Sequence, residues 1–513
     1  MSTVLTSEAD KILSFEQAPA LIAGMREGGR RVVQCHGTFD LLHPGHIHHL
    51  QEARSHGDLL VVTITADAHV NKGPGRPVFN EKLRAHTLAA LQCVDGVVVV
   101  PHPTAVEAIT CVKPDVYCKG LEYQDAANDP TGNIHDDRRL VEQFGGAIHY
   151  VGSVVFSSSK LLNNHFDHLG SEVRGFCRML SETITPDGFR DAVASFTNLR
   201  VLVIGDVIFD RYVTVGVQGL TSKNRILSSR FVNEETQAGG AIAVARHVAQ
   251  FTPHVRLLSL VGTEPWVRPA LESALAPEQL AVLTDPSFTT VVKQRFVEPG
   301  SGSGTELSKL FSVNYLDADP PSVAVADRVL ASIRAEIGQA DVVLVADFGH
   351  GLLNAEARGV IQDRARLLML NCQTNSFNHG FNIISRQYRR ATAFTLDQNE
   401  LMLACGRPHP DFQAELDALR KLFDAEYGWL TRGGIQTIGV TRTEAPVFCP
   451  PIDHAVTDTV GAGDAFFSVV ALAAAQHLPC ALATYIGQLA GANAVKIVGN
   501  ARPISKSHLL KSG

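Results

Sequence analysis

The feature that most constrains the fold is a rhythm. Short apolar runs rich in β-branched residues, among them Leu59-Leu-Val-Val-Thr-Ile64, Val97–Val100 and Arg200-Val-Leu-Val-Ile204, alternate with segments of helical period. A strand that is apolar all round must be covered on both faces, and alternation with helices is how a parallel sheet achieves this. The expected class is α/β. In the first part, strands are expected at Arg31–His36, Leu59–Ile64, Val97–Val100 and Ala147–Val151. Helices are expected at Ile47–Ser55, at Glu81–Leu91 behind an Asn80 cap, and at Arg138–Phe144. A less regular amphipathic helix is expected over Ile12–Met25. Residues 163–199 lack a clear period, so the joint is expected there. A second series then opens at Arg200, with strands at Val255–Leu260, Asp341–Ala346, Leu367–Leu370 and Ile438–Val440.

A chain of 513 residues has material for more than one core, and 45% hydrophobic with 19% charged residues excludes wholesale disorder. Lys+Arg number 45 against 52 Asp+Glu, a net charge of −7 that argues against a nucleic-acid binder. Anionic ligands remain open, because helix amino ends bind phosphate through backbone N–H groups. Nine scattered cysteines without a Cys-x-x-Cys pair favour neither a disulfide framework nor a zinc ribbon, and a cytoplasmic location is expected. No signal peptide is visible, and the longest apolar stretch, near Ala465–Ala475, is too short to cross a bilayer, so no membrane partner is expected.

Two stretches carry chemistry. In the first, Gly37-Thr38-Phe39-Asp40-Leu-Leu-His43-Pro-Gly-His46 follows a strand and opens a helix, at the edge where α/β sheets present ligands. His43 and His46 lie about one helical turn apart, so both rings can face one ligand. Imidazole N–H groups there can stabilise charge building on a phosphorus centre. The rival reading is a metal site or a solvated histidine face. Asp40 is expected to hold its own turn. In the second, Asp458-Thr-Val-Gly461-Ala462-Gly463-Asp464 precedes an apolar helix. Its glycines allow backbone N–H groups to fold around an anion. Asp464 cannot bind phosphate but can take a proton from a hydroxyl beside it. A capped helix start is the rival reading. No Gly-Lys-Ser/Thr of the Walker type occurs.

The first stretch resembles the cytidylyltransferase-like nucleotidyltransferases, and the resemblance runs through nearly all of residues 30–162. It implies attack by a phosphate oxygen on the α-phosphorus of ATP or CTP, with pyrophosphate leaving and Mg²⁺ offsetting charge. It implies nucleotide or phosphate contacts from Gly37, Thr38, Phe39, Lys72, Arg84, Lys119, Ser158, Ser159 and Lys160, with His43 and His46 catalytic. For Lys72, Arg84 and Lys160 the alternative is a solvated surface cation. The second stretch, with its surroundings from 198 to 505, resembles the ribokinase-like (PfkB) carbohydrate kinases. That implies Asp464 as base, Gly461, Ala462 and Gly463 as the anion hole, and Asp210, Gly239, Gly240 and Asp347 around the sugar. Asp397 and Glu400 would attend Mg²⁺. Ala243, His350 and Asn371–Ser376 depart from that family's usual residues.

The expected architecture is a Rossmann-like parallel-sheet nucleotidyltransferase at 28–165, a linker at 166–197, and a ribokinase-like α/β sandwich with a small β lid at 198–510. The pairing resembles the bifunctional heptose kinase/nucleotidyltransferases with the halves in reversed order. It implies ATP-dependent phosphorylation of a heptose-like sugar or sugar phosphate, then nucleotidyl transfer to a sugar phosphate for surface glycan synthesis. The alternative is a CTP-dependent cytidylyltransferase for a polyol phosphate with a regulatory kinase-like half. Small-molecule ligands are the expected partners, with a homodimer through lid residues 213–236 and 290–315.

Overall fold

The computed structural model describes residues 8–70, 76–121, 133–151, 170–299, 307–317, 319–375, 378–453 and 456–512. The chain divides into two compact units between Gly170 and Ser171.

The first unit is built on strands β1 (Ile12–Leu13), β2 (Val32–Gly37), β3 (Leu59–Thr65), β4 (Gly96–Val100), β5 (Val116–Gly120) and β6 (Ala147–Val151). They form one sheet in the order β1-β4-β3-β2-β5-β6, parallel throughout. Every residue of β3 is buried, as its unbroken apolar run requires. The helix Pro44–Arg54 covers one face, packing Leu50 and Ala53 against Val33, Cys35, Leu60 and Val62. The helix Ala18–Met25 covers the other, packing Ala18, Ile22 and Met25 against Val32, Val61 and Val98. The single helix expected over Ile12–Met25 is instead a short strand and a shorter helix. Pro19 sits in that helix's first turn, where its missing N–H costs nothing. From β2 the chain moves outward through β3 to β4, then returns to the far side of β2 for β5 and β6. The reversal leaves a crevice between the carboxyl ends of β2 and β5, the usual ligand position in such sheets.

The second unit carries β7 (Val201–Gly205), β8 (Val207–Leu220), β9 (Leu227–Gly240), β10 (Val255–Val261), β11 (Leu280–Thr284), β12 (Val291–Pro299), β13 (Leu307–Tyr315), β14 (Val342–Asp347), β15 (Leu368–Cys372), β16 (Ala393–Asp397), β17 (Tyr427–Thr431), β18 (Thr437–Thr441) and β19 (Val447–Cys449). Nine of them form a sheet in the order β11-β10-β7-β14-β15-β16-β17-β18-β19, and β13-β12-β8-β9 form a four-stranded sheet, the lid. In the large sheet only the β17–β18 and β18–β19 pairs are antiparallel. The side-chain period of two divides β7 between two cores: Val201 and Val203 join one, Leu202 and Ile204 the other. The lid strands lie where residues 213–236 and 290–315 were expected to form one.

The linker expected at 166–197 is corrected in its larger part. Ser171–Ser181 and Pro186–Ala194 are helices, and Phe176, Leu180, Phe189, Val193 and Phe196 are buried in the second unit's core. Their apolar spacing was masked in the sequence by interleaved Gly, Arg and Asp. Thr185 caps the second of these helices by accepting from the Gly188 N–H at 3.0 Å.

Candidate active sites

In the first unit the chain leaves β2 at Gly37 and turns through Thr38, Phe39 and Asp40 before Pro44 opens a helix. Phe39 adopts a left-handed conformation, φ 49°. Its ring folds back so that a Cβ on Gly37 would lie 3.2 Å from it, which favours glycine there. Two arginines pin the turn. Arg76 Nε donates to Asp40 Oδ2 at 2.5 Å and the Phe79 N–H donates to Oδ1 at 3.0 Å. Asp40 is structural as expected, but its partners come from another loop rather than its own turn.

Arg84 requires a correction. Rather than facing a phosphate, its guanidinium is fully buried and donates to the Phe79, Thr38 and Thr65 carbonyls at 3.0, 2.6 and 2.8 Å, and to Asp67 Oδ1 at 2.6 Å. Those donors are consumed by the scaffold. The solvated alternative fails equally. Asp67 is itself fixed by reciprocal bonds with Glu81: the Asp67 N–H to Glu81 Oε2 at 2.8 Å and the Glu81 N–H to Asp67 Oδ2 at 3.0 Å.

Beyond this clamp the expected pair of rings comes together. The imidazoles of His43 and His46 stack with centroids 3.9 Å apart and planes 22° apart, and the Phe39 ring lies 5.4 Å from His46. The Asn80 cap is as expected, accepting from the Leu83 N–H at 3.0 Å. Burial pushes the His43 imidazole below the ordinary histidine value, so it is neutral at pH 7 and can donate one N–H. Lys119 ends β5 across the crevice, with its ammonium 3.0 Å from Asp137 Oδ2. Burial, and then the Lys119 charge, hold His36 at the end of β2 down to about 3. Lys72, Ser158, Ser159 and Lys160 lie outside the described residues.

In the second unit a cavity of about 290 Å³ opens between the lid and the large sheet, lined among others by Asp210, Lys293, Arg295, Gln373, Asp397 and Asp464. Gly461 precedes the helix Ala462–Ala475 with φ 83°, and a Cβ on it would run into Asn500 Oδ1. Only glycine fits there. Gly461 and Gly463 line the cavity; Ala462 does not, its N–H pointing at the Thr459 carbonyl 3.4 Å away. Asp464, in that helix's first turn, accepts from Gln373 Nε2 at 3.2 Å. Burial, reinforced by the Asp210 charge, raises its carboxyl to about 7. A carboxylate poised there at neutral pH suits a general base.

Asp210 reaches the cavity but is ion-paired to Arg295. Gly239 lies against Asp210, where a Cβ would strike its carboxylate, and Gly240 takes φ 61° at the start of the next helix. Asp347 is the second correction. It does not line the cavity; its carboxylate accepts from Arg358 Nε at 2.8 Å, Tyr388 Oη at 2.7 Å and the Gly349 N–H at 3.0 Å. The nearby Asp206 accepts N–H bonds from Phe348, His350 and Leu352, and burial plus the Asp347 charge raise it to about 7. Both acids shape the strand-end loop and are screened from any sugar.

Asp397 and Glu400 line the cavity and form a capping box, each accepting the other's N–H at 2.8 Å. Burial and the Asp397 charge push Glu400 up to about 8. Among the described residues no group of three or more acidic, histidine or cysteine side chains could hold a metal.

Lys293 and Arg295 were missed in the sequence. They alternate on β12 and so point to the same side; a Lys-x-Arg pair on a lid strand was the available signal. The segment Asn371–Thr374 also contributes more than its departure from family residues suggested. Gln373 bridges Asp464 and Asn371, bonding Asn371 Oδ1 at 2.8 Å, and Asn371 donates to Thr395 Oγ1 at 2.9 Å.

Residues 35–162 match the family described as cytidylyltransferase-like. The chain is 42% identical over 151 residues to the bifunctional protein HldE of Pelobacter propionicus, covering 29% of this chain and 30% of that protein. It is 44% identical over 131 residues to HldE of Syntrophotalea carbinolica, covering 25% of each. The matches span less than a third of these relatives' length. Among solved structures, Arabidopsis thaliana ribokinase complexed with ribose and ATP is 18% identical with a TM-score of 0.47, covering 61% of this chain and 98% of that one. Escherichia coli phosphofructokinase-2 with fructose-6-phosphate is 15% identical with a TM-score of 0.47, covering 61% and 97%.

Proposed function

We propose that the chain is a bifunctional transferase: the second unit phosphorylates a heptose-like sugar phosphate with ATP, and the first transfers a nucleotidyl group from ATP or CTP to a sugar phosphate. The activated sugar would serve surface glycan synthesis. The observation that carries the kinase half is Asp464, a buried carboxyl in the first turn of a helix behind the left-handed Gly461, facing a cavity. In that reading the sugar hydroxyl attacks the γ-phosphorus, its proton passes to Asp464, and ADP leaves. Gly461 and Gly463 provide the turn that receives the transferred group. Lys293 supports a phosphorylated acceptor: it lines the cavity, and among the described residues no carboxylate lies within ion-pair reach of its ammonium.

For the nucleotidyl half the support is the match over residues 35–162 together with the stacked neutral rings. A sugar-phosphate oxygen would attack the α-phosphorus, His43 and His46 would donate to the charge that builds there, and pyrophosphate would leave. Mg²⁺ fits the donor set of the second unit. Asp397 and Glu400 each keep one carboxylate oxygen outside the capping box, matching an ion that takes one or two carboxylates and completes its shell with phosphate and water. Such an ion supplies charge neutralisation for the phosphates.

The Asp210–Arg295 pair favours a second reading, in which the kinase-like half senses a sugar and the first half makes a CDP-polyol. A pyrophosphate-release grid of ATP and CTP against heptose 1-phosphate and glycerol 3-phosphate separates the two, with His43→Ala as blank. Sugar-phosphate-dependent ATP turnover that persists undiminished in Asp464→Ala would overturn the kinase assignment.

A further inference from the structure

A second cavity, of about 570 Å³, lies on the opposite face of β8 and β9 from the candidate kinase cavity. The strand period produces the pair: Ile208 and Asp210 face one cavity, Phe209 and Arg211 the other. Its floor is aromatic, with Phe209 edge-on to Trp266 at 5.0 Å and the Arg211 guanidinium 5.6 Å over the Trp266 ring. Two arginines reach it. Arg211 Nε is buried without a hydrogen-bond partner; Glu234 stands 3.4 Å away, half-exposed and off the donor axis. Arg246, from the helix Ala241–Val248, donates to the Asn500 and Ala501 carbonyls at 2.9 and 3.4 Å. Among the described residues no carboxylate lies within ion-pair reach of Arg246, and burial lowers its affinity for the proton accordingly. Thr236, directly opposite Arg211 across the strand pair, adds a hydroxyl.

Two partly buried guanidiniums with one poorly aligned counter-charge leave net positive potential in a concave, aromatic-floored space. A planar fork of N–H donors is matched by carboxylate or phosphate oxygens. We infer that this cavity is a second binding site, taking a small phosphorylated or carboxylated metabolite whose anionic group lies between Arg211 and Arg246. The site touches the kinase cavity through shared chain: Asn500 lines one and Ala501 the other, and Gln237 Oε1, on the second cavity, accepts the Asn500 N–H at 2.8 Å.

The chain has two tryptophans, and Trp429 is fully buried, bonded to Thr484. In a Trp429→Phe background, Trp266 emission is therefore a reporter local to the cavity. The full chain is titrated with inorganic phosphate, glucose 6-phosphate and citrate, which separates a bare phosphate, a phosphate on a neutral body and a carboxylate. Saturable quenching by at least one is expected. Arg211→Gln should weaken it at least tenfold, and Glu234→Gln, which removes the competing charge, should tighten it. Lys293→Met, which alters the other cavity, should leave the apparent Kd unchanged. Arg211→Gln, on a partly exposed lid position, is accepted only with an unchanged melting temperature; Glu234→Gln gives the opposite-signed control. The inference is overturned if no probe perturbs Trp266, if Arg211→Gln and Glu234→Gln shift affinity in the same direction, or if Lys293→Met abolishes the response. Because the readout is binding, it fails or stands independently of the kinase reading.

Discussion

At the scale of single residues, the two clearest roles belong to Asp464 and Arg84, and they fail differently when removed. Asp464→Asn should lower sugar-phosphate-dependent ATP turnover by about 10²–10⁴-fold. The same change should stabilise the protein. Because its folded carboxyl is raised to about 7, Asp464 favours folding while protonated, and that contribution is lost as pH rises from the usual carboxylate range through 7. Asparagine should thus raise the melting temperature by a few degrees at pH 8, and by much less at pH 5. In the parent, turnover should rise with pH through an apparent pKa near 7. Arg84→Leu strands Asp67 and three carbonyls, at a cost of about 3–5 kcal/mol read as a lower urea midpoint. A phosphate-contact role would instead raise KM at unchanged stability. From the sequence Asp464 was legible because its glycines are local. Arg84 was legible as important but not as internal, since its partners come from Thr38, Thr65 and Asp67, and no local spacing reveals a fold-back across three loops.

Among elements, the strands of both large sheets were readable from short apolar runs, while β1 and the helix Ala105–Val112 were not. A two-residue strand has no period to detect, and the apolar run Ala105–Val112 is too short to distinguish buried helix from strand. The helices at Ser171–Ser181 and Pro186–Ala194 escaped because polar residues interrupt their apolar faces. The helix Ala462–Ala475 carries the sharpest element-scale expectation. Gly461→Ala places a side chain at φ 83° against Asn500 and should cost about 1–3 kcal/mol in unfolding free energy. It should also reduce ATP turnover more than tenfold with Asp464 intact, because the turn that receives the γ-phosphoryl group is displaced.

For the whole molecule, two units with separate cores and separate sets of phosphate-handling residues predict separable lesions. His43→Ala should cut pyrophosphate release by about 10²-fold or more while sparing sugar-phosphate-dependent ATP turnover, and Asp464→Asn should do the reverse. The lid carries exposed apolar side chains on adjacent strands, Phe231 and Val232 on β9 and Phe311 and Val313 on β13. A second copy of the chain is the expected cover, so Phe311→Asp should lower the sedimentation coefficient if the parent is dimeric. The clamp of Arg76 and Arg84 has its own consequence at the first site. A turn already fastened by its own scaffold has little freedom left to surrender when a nucleotide arrives. Amide exchange at Thr38, Phe39 and Asp40 should therefore be slow in the empty protein and change little on saturation, and the heat capacity of association should reflect only the surface that the nucleotide covers.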